Sequence, residues 1–201
     1  MSNISKNAQI APDVQIGEKC GIAQGSEIKT GTRIGQKTFV EPGASIGKNC
    51  NIRGNSKIEV NCHLGNNCHL SEGVTIGKLS PPSYDKKNTT LGENCHVGKN
   101  SSIYSNCSLG SGCRIGEETK IFKGARIGAG TKIGDQVIIG PNVKIGEKCS
   151  ILDKIHIKSG AVVPDGIRLQ RGMSYNKEDL ERIVKKRVNL AAAIKEISLS
   201  I

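Results

Sequence analysis

The four histidines of the chain each stand directly before an aliphatic residue, as His63–Leu64, His69–Leu70, His96–Val97 and His156–Ile157. An imidazole titrates near neutral pH, so a histidine on an accessible surface can take a proton from a hydroxyl or amine. The aliphatic partners belong to a longer pattern, because an aliphatic residue recurs at every sixth position with one interruption. That pattern determines where the histidines lie.

The six-residue repeat runs from Ile4 to Leu169 and is broken only between Ile76 and Leu91. A period of six fits neither an α-helix nor a β-meander, and it predicts a solenoid of short strands. The fourth hexad position is usually glycine or asparagine, which accept the positive φ that a corner needs. Three hexads therefore close one triangular coil. Nine coils would form a prism about 40 Å long at a coil spacing of about 4.8 Å.

The segment SIGKNCNIRGNSKIEVNCHLGNNCHLSEGVTIG resembles the hexapeptide repeat of left-handed parallel β-helix proteins, and the resemblance implies the left hand. The predicted fold is all-β, a left-handed parallel β-helix of about nine coils over residues 1–172. One loop projects at residues 78–90, and residues 173–201 form a C-terminal α-helical extension after the hexad period fails. Asn176 is the expected N-cap of that helix, and apolar residues then recur at three- and four-residue steps.

The composition of the chain indicates in which compartment the protein works and what kind of ligand it binds. All eight cysteines fall at the fifth hexad position, a small inward-facing site, which predicts free thiols in a reducing cytoplasm. No apolar run is long enough for membrane insertion. The net charge of +11 comes without an arginine-rich tail or interleaved aromatic residues, so no nucleic acid partner is predicted. The charge favours a phosphorylated small molecule such as coenzyme A or a nucleotide sugar.

The flanks of the interruption, GVTIGK and NTTLGENCHVGKNSSI, resemble a segment of hexapeptide acetyltransferases that act on serine or tetrahydrodipicolinate. In those families a GVTLG stretch, a projecting loop and further hexads follow one another. The resemblance implies an acyl-CoA-dependent transferase with acetyl-CoA as co-substrate and no metal. It also implies a homotrimer with its cleft between subunits beside the loop, and a small polar acceptor such as an amino sugar or amino acid.

Residues 18 apart share a face on adjacent coils once the nine extra residues between Ile76 and Leu91 are subtracted. His69 and His96 are therefore predicted to lie on one face, one coil apart, with His63 on the neighbouring face. These three are the candidate general bases, in the order His69, His96, His63.

Four cationic side chains are the candidates for binding the phosphates of the acyl donor. Arg114 and Lys132 continue the face of His69 and His96, and Lys86 and Lys87 lie in the loop. Together they are predicted to attract and hold a phosphorylated co-substrate.

Two alternatives remain open at this stage. His63, His69 and His96 resemble the three histidines with which γ-class carbonic anhydrases bind their metal on the same prism. However, His63 and His69 are six residues apart, on different faces, and Arg53-Gly54-Asn55 lacks the carboxylate of the Arg-Gly-Asp triplet of that class. The other alternative is a non-catalytic assembly subunit, because no catalytic motif transfers residue by residue.

Overall fold

The computed structural model describes residues 1–79, 88–186 and 189. Successive strands alternate among three parallel sheets, which form the three faces of a triangular prism. Each strand pairs with the strand three places further along the chain, as in the pairing of Asn51 with His69. This is the predicted left-handed parallel β-helix of about nine coils.

Face 1 has ten strands: β1 (Asn3–Ile4), β4 (Gly21–Ile22), β7 (Phe39–Val40), β10 (Lys57–Ile58), β13 (Thr75–Lys78), β16 (Ser102–Tyr104), β19 (Lys120–Ile121), β22 (Ile138–Ile139), β25 (His156–Ile157) and β28 (Ser174–Tyr175). Face 2 has nine: β2 (Gln9–Ile10), β5 (Glu27–Ile28), β8 (Ser45–Ile46), β11 (His63–Leu64), β14 (Thr90–Leu91), β17 (Ser108–Leu109), β20 (Arg126–Ile127), β23 (Lys144–Ile145) and β26 (Val162–Val163). Face 3 has nine: β3 (Gln15–Ile16), β6 (Arg33–Ile34), β9 (Asn51–Ile52), β12 (His69–Leu70), β15 (His96–Val97), β18 (Arg114–Ile115), β21 (Lys132–Ile133), β24 (Ser150–Ile151) and β27 (Arg168–Leu169).

The core is a stack of aliphatic side chains along the prism axis. In nearly every strand the first residue points outward and the second inward, because side chains alternate along a strand. Leu70, Val97 and Ile103 are completely buried. The eight cysteines are buried and unpaired, which confirms their prediction as small inward-facing residues.

The corners have the backbone conformation that the fourth hexad position predicts. Asparagines at eight corners have φ between 55° and 61°, namely Asn49, Asn55, Asn61, Asn67, Asn94, Asn100, Asn106 and Asn142. Asparagine tolerates this left-handed region better than most residues. Gly77 has a φ of 81°, and a Cβ there would collide with the Cys62 sulfur, so glycine is required where the chain leaves the prism.

The solenoid continues one strand beyond residue 172, where the sequence predicts its end. Ser174–Tyr175 pairs with His156–Ile157, and Tyr175 takes the inward position with 6% of its surface exposed. The aliphatic pattern missed this strand because its inward residue is aromatic. A large ring fits here because no further coil occupies the end of the core.

Helix α1 begins at residue 177 and is described to residue 186. Leu180 is buried, and Ile183 packs partly buried against the core, so the helix covers the open end of the prism. Apart from residue 189, the rest of the predicted extension lies outside the described residues. Within the described part of the chain, no helix is long and apolar enough to cross a membrane.

The N-terminus of α1 has a reciprocal cap. The Asp179 amide donates to Asn176 Oδ1 at 2.9 Å, and the Asn176 amide donates to Asp179 Oδ2 at 3.0 Å. Asn176→Ala removes the first of these acceptors and should cost the helix about 1 kcal/mol. Amide hydrogen exchange in residues 178–183 should then accelerate about fivefold. Asn176→Ser keeps a capping oxygen and serves as the control; unchanged exchange in the alanine variant would contradict the cap.

Candidate functional site

Face 3 is the most basic surface of the prism. Its outward residues, in order along the axis, are Gln15, Arg33, Asn51, His69, His96, Arg114, Lys132, Ser150 and Arg168. Neither of the other two faces presents as many arginines and lysines on its strands, and Glu27 on face 2 offsets part of the charge there. Face 3 therefore combines proton-accepting and cationic groups in one row.

His69 and His96 lie at the centre of that row. Their strands pair directly, and the two imidazole rings stack with centroids 4.7 Å apart and planes 8° from parallel. Asn51 pairs with His69 on one side, and Arg114 pairs with His96 on the other. The structure thus places the two histidines on one face, one coil apart, as the spacing predicts.

The surroundings of both imidazoles favour the neutral form. Burial lowers the pKa of His69 below its ordinary value of 6.5, and the charges of His96 and Arg53 lower it further. Burial also lowers the pKa of His96, with Arg114 and Arg53 as additional causes. Desolvation and neighbouring cations both disfavour an imidazolium. At neutral pH each ring therefore has a free nitrogen lone pair that can accept a proton.

The cationic row continues beyond the histidines. Arg114 pairs with Lys132, and neither side chain forms an ion pair with another described residue. Like charges directly opposite on neighbouring strands destabilise a sheet. Fold stability therefore does not explain this pair, nor the equivalent Arg126–Lys144 pair of face 2. The other predicted phosphate-binding residues, Lys86 and Lys87, lie outside the described residues.

His63 lies on face 2, between Ser45 and Thr90. Thr90 begins the strand that follows the inserted loop, so His63 adjoins the corner from which the loop leaves. That corner joins faces 1 and 2, opposite face 3. Within one chain, the root of the loop is therefore beside His63 and on the far side of the prism from His69 and His96.

The described residues contain no group of three or more His, Cys, Asp or Glu side chains arranged to hold a metal ion. Within one chain, His63 and His69 lie on different faces. Two of the three histidines in the carbonic-anhydrase comparison are therefore apart. That comparison draws on histidines from two subunits, so it stays a prediction about an assembly.

Family models match the repeat on both sides of the loop. A model described as bacterial transferase hexapeptide (six repeats) matches residues 88–123 and 115–153, and one described as hexapeptide repeat of succinyl-transferase matches residues 43–78. Together they span about half of the chain. The chain belongs to the hexapeptide-repeat superfamily of left-handed β-helix acyltransferases.

Solved structures share this hexapeptide-repeat fold. LpxA from Acinetobacter baumannii superposes with a TM-score of 0.51 at 23% identity, covering 87% of this chain and 69% of that protein. UDP-N-acetylglucosamine acyltransferase from Francisella novicida has a TM-score of 0.48 at 21% identity, covering 80% of this chain and 62% of that protein. The enzyme of that name from Campylobacter jejuni has a TM-score of 0.47 at 17% identity, covering 80% of this chain and 66% of that protein. The chain thus spans about two thirds of the length of these proteins. Curated protein sequences give no match.

Arg53 is the site residue of this hexapeptide-repeat protein that the sequence predictions did not assign. It lowers the pKa of both histidines, although it follows strand β9 and does not lie in the outward row. A signal was present, because Arg53 occupies the second hexad position, which is glycine in many other coils, including those of Gly35 and Gly98. An arginine at a hexad position where other coils have glycine sets this corner apart from them.

The histidine pKa values offer a direct test of this electrostatic arrangement. Arg53→Gln should raise the pKa of both His69 and His96, because Arg53 lowers both. Arg114→Gln should raise the pKa of His96 more than that of His69, since Arg114 acts only on His96. Proton NMR titration of the imidazole signals gives both values.

The lowered pKa values of the two histidines should also make the free energy of unfolding depend on pH. Because the folded-state pKa lies below the unfolded one, the unfolded chain binds more protons in between. The free energy of unfolding therefore falls as pH drops from about 6.5 towards the folded pKa. Arg168→Gln, on the same face but five coils from His69, is the control and should leave the pKa of both histidines unchanged. Equal pKa values in wild type and Arg53→Gln would show that Arg53 does not act on the pair.

Proposed function

We propose that this protein is an acyl-CoA-dependent acyltransferase that modifies a small polar acceptor such as an amino sugar or amino acid. The observation that carries the proposal is the stacked, neutral His69–His96 pair at the centre of the cationic face. Membership in a superfamily of transferases supports the same reaction class. Acetyl is the proposed acyl group.

In the proposed reaction, the acceptor hydroxyl or amine attacks the thioester carbonyl while one imidazole takes its proton. His69 is the first choice, because as a whole residue it is half-buried whereas His96 is exposed, and because it has Asn51 as its other neighbour. The new carbon–oxygen or carbon–nitrogen bond forms as the carbon–sulfur bond breaks, and the CoA thiolate receives the proton from the imidazolium. General-base assistance of this kind contributes about 10²–10⁴ in rate. The Asn51 and Asn67 amides are candidate donors to the tetrahedral oxyanion.

The acyl donor is proposed to lie along the cationic side of the pair. Arg114 is next to His96, and Lys132 is one coil further, so both would face the phosphates of coenzyme A while the thioester lies over the imidazoles. Guanidinium and ammonium groups form charge-assisted hydrogen bonds to phosphate oxygens. Lys86 and Lys87 of the loop are proposed to add to this field.

The position of the loop supports a homotrimer as the working form. The loop leaves the prism at the corner opposite face 3, which is the far side of the prism from the histidine pair. A second subunit packed against face 3 would present its loop corner, and with it His63, to the pair. We therefore propose that the complete site forms between subunits.

Calorimetric titration of the purified protein with acetyl-CoA tests the proposal, with its oligomeric state measured by light scattering. We expect micromolar binding by a trimer, weakened at least tenfold in Arg114→Gln/Lys132→Gln. The matched control is Arg126→Gln/Lys144→Gln, which removes an equivalent cationic pair from face 2. Absence of binding to acetyl-CoA and to longer acyl-CoAs would overturn the proposal and favour a non-catalytic assembly subunit.

A further inference from the structure

A groove of about 560 Å³ crosses three coils of face 3 on the N-terminal side of His69. Its walls are formed by strands β3, β6 and β9 and by the corner that follows them. Gly17, Gly35 and Gly54 lie at that corner. A Cβ on any of them would collide with backbone atoms of the groove wall, so no larger residue fits there.

Two guanidinium groups line the groove without a carboxylate partner. Arg33 and Arg53 are both exposed, and neither forms an ion pair with another residue that the structure describes. Glu72 is the single acidic residue in the lining, and its carboxylate is already engaged. It accepts a hydrogen bond from Asn55 at 2.8 Å and lies 4.0 Å from the Lys99 ammonium. The groove therefore has a net positive charge.

The backbone of the groove also offers hydrogen-bond donors. In two later coils of the same corner the amide at the third hexad position has a side-chain acceptor, since the Glu117 amide donates to Asp135 Oδ1 at 2.8 Å and the Asp135 amide to Asp153 Oδ1 at 3.1 Å. The equivalent residues of the groove are Gln36 and Gly54. Among the described residues, neither of their amides donates to a protein acceptor. Gly54 has no side chain with which to cap Gln36.

We infer that this groove binds an anionic group, a carboxylate or a phosphate, of the acceptor substrate. Arginine pairs with both groups through two parallel hydrogen bonds, and free backbone amides complete such a site. The identification of the bound molecule as the acceptor rests on the proposed function, in which Arg114 and Lys132 hold the donor. The groove and the Arg114–Lys132 pair lie on opposite sides of the histidines. An acceptor held in the groove and a donor held on Arg114 and Lys132 would meet over His69 and His96.

The location of Arg53 links the groove to the histidines. Arg53 lines the groove and also lowers the pKa of both imidazoles. An anion bound to Arg53 offsets its charge, so it should raise the pKa of both histidines. Occupancy of the groove can therefore be detected at the site of the chemistry, without any turnover.

The test uses inorganic pyrophosphate as the probe, followed by calorimetry and by amide and imidazole NMR signals of the intact protein. We expect binding that shifts the Gln36 and Gly54 amide signals and raises the pKa of His69 and His96. Arg33→Gln/Arg53→Gln should weaken the affinity at least about tenfold. Arg168→Gln, which removes a cation from the same face outside the groove, should change it less than twofold.

The two possible sources of the anion are separated by competition. If the groove holds the acceptor, saturating acetyl-CoA leaves pyrophosphate binding in the groove unchanged; displacement of pyrophosphate would assign the groove to the donor and overturn the inference. Binding that Arg33→Gln/Arg53→Gln does not weaken would also overturn it. Failure of the proposed function is recognised separately, as loss of acyl-CoA binding while pyrophosphate still binds in the groove.

Discussion

Replacing both His69 and His96 with alanine is expected to lower the rate of acyl transfer at least a hundredfold, with little change in affinity for acetyl-CoA. The stacked rings are the groups on face 3 that can take a proton at neutral pH, and general-base assistance is worth about 10²–10⁴ in rate. Acyl-CoA binding should persist because the cations assigned to it remain in place. A thiol-release assay with a panel of amino sugars and amino acids measures the rate, and calorimetry measures the affinity.

The single variants identify which ring is the base. The charge of His96 lowers the pKa of His69, so His96→Ala should raise the pKa of His69 and move the acidic limb of the pH–rate profile to higher pH. In His69→Ala, Arg114 and Arg53 remain in place and still lower the pKa of His96. If His69 is the base, His69→Ala should have nearly the full effect of the double variant. His96→Ala should keep most of the rate above pH 7.

Two further histidine variants serve as controls. His156 lies on face 1, near the far end of the prism, so His156→Ala should leave the rate unchanged. His63→Ala tests the third candidate base, which lies on face 2 beside the loop corner. A full loss of activity in His63→Ala, with the double variant still active, would move the base to His63. Full activity in the double variant would remove general-base catalysis by this pair.

The sequence was sufficient for the placement of the histidines because a strict period leaves little freedom. Once an aliphatic residue is assigned inward at every sixth position, the residue before it must point outward. Residues one coil apart must then pair, as His69 and His96 do. The nine-residue insertion did not disturb this prediction, since parallel pairing of the coils resumes in register at Thr90.

Other features of the candidate site depend on the shape of corners, which the hexad pattern does not specify. The position of Arg53 relative to the two imidazoles depends on how the chain turns after strand β9, beyond the regular strand pairs. The groove likewise depends on how three glycine-containing corners are arranged in space, and each glycine alone is typical of an ordinary turn. The position of Arg53 near the imidazoles and the presence of the groove therefore could not be predicted from the sequence.

The largest expected effect on stability belongs to Ile76→Ala. Ile76 is completely buried and lies between Ile58 and Ile103 in the coil from which the loop leaves. Truncating a buried isoleucine to alanine removes its transfer free energy and leaves a cavity, at a cost of about 2–5 kcal/mol. The cost should lie near the upper end, because Gly77 packs so closely on Cys62 that the corner cannot collapse into the space.

Urea unfolding with hydrogen exchange measures both the size and the location of this loss. Thr75→Ala is the matched control, since Thr75 is the outward neighbour on the same strand and should change the free energy of unfolding by less than about 0.5 kcal/mol. Solenoid coils contact mainly their neighbours, so faster exchange should be confined to the coils around Ile76. Ile139→Ala makes the same chemical change on face 1, away from the loop. A smaller loss at Ile76 than at Ile139 would mean that the loop corner adjusts to the cavity and is less rigid than its packing indicates.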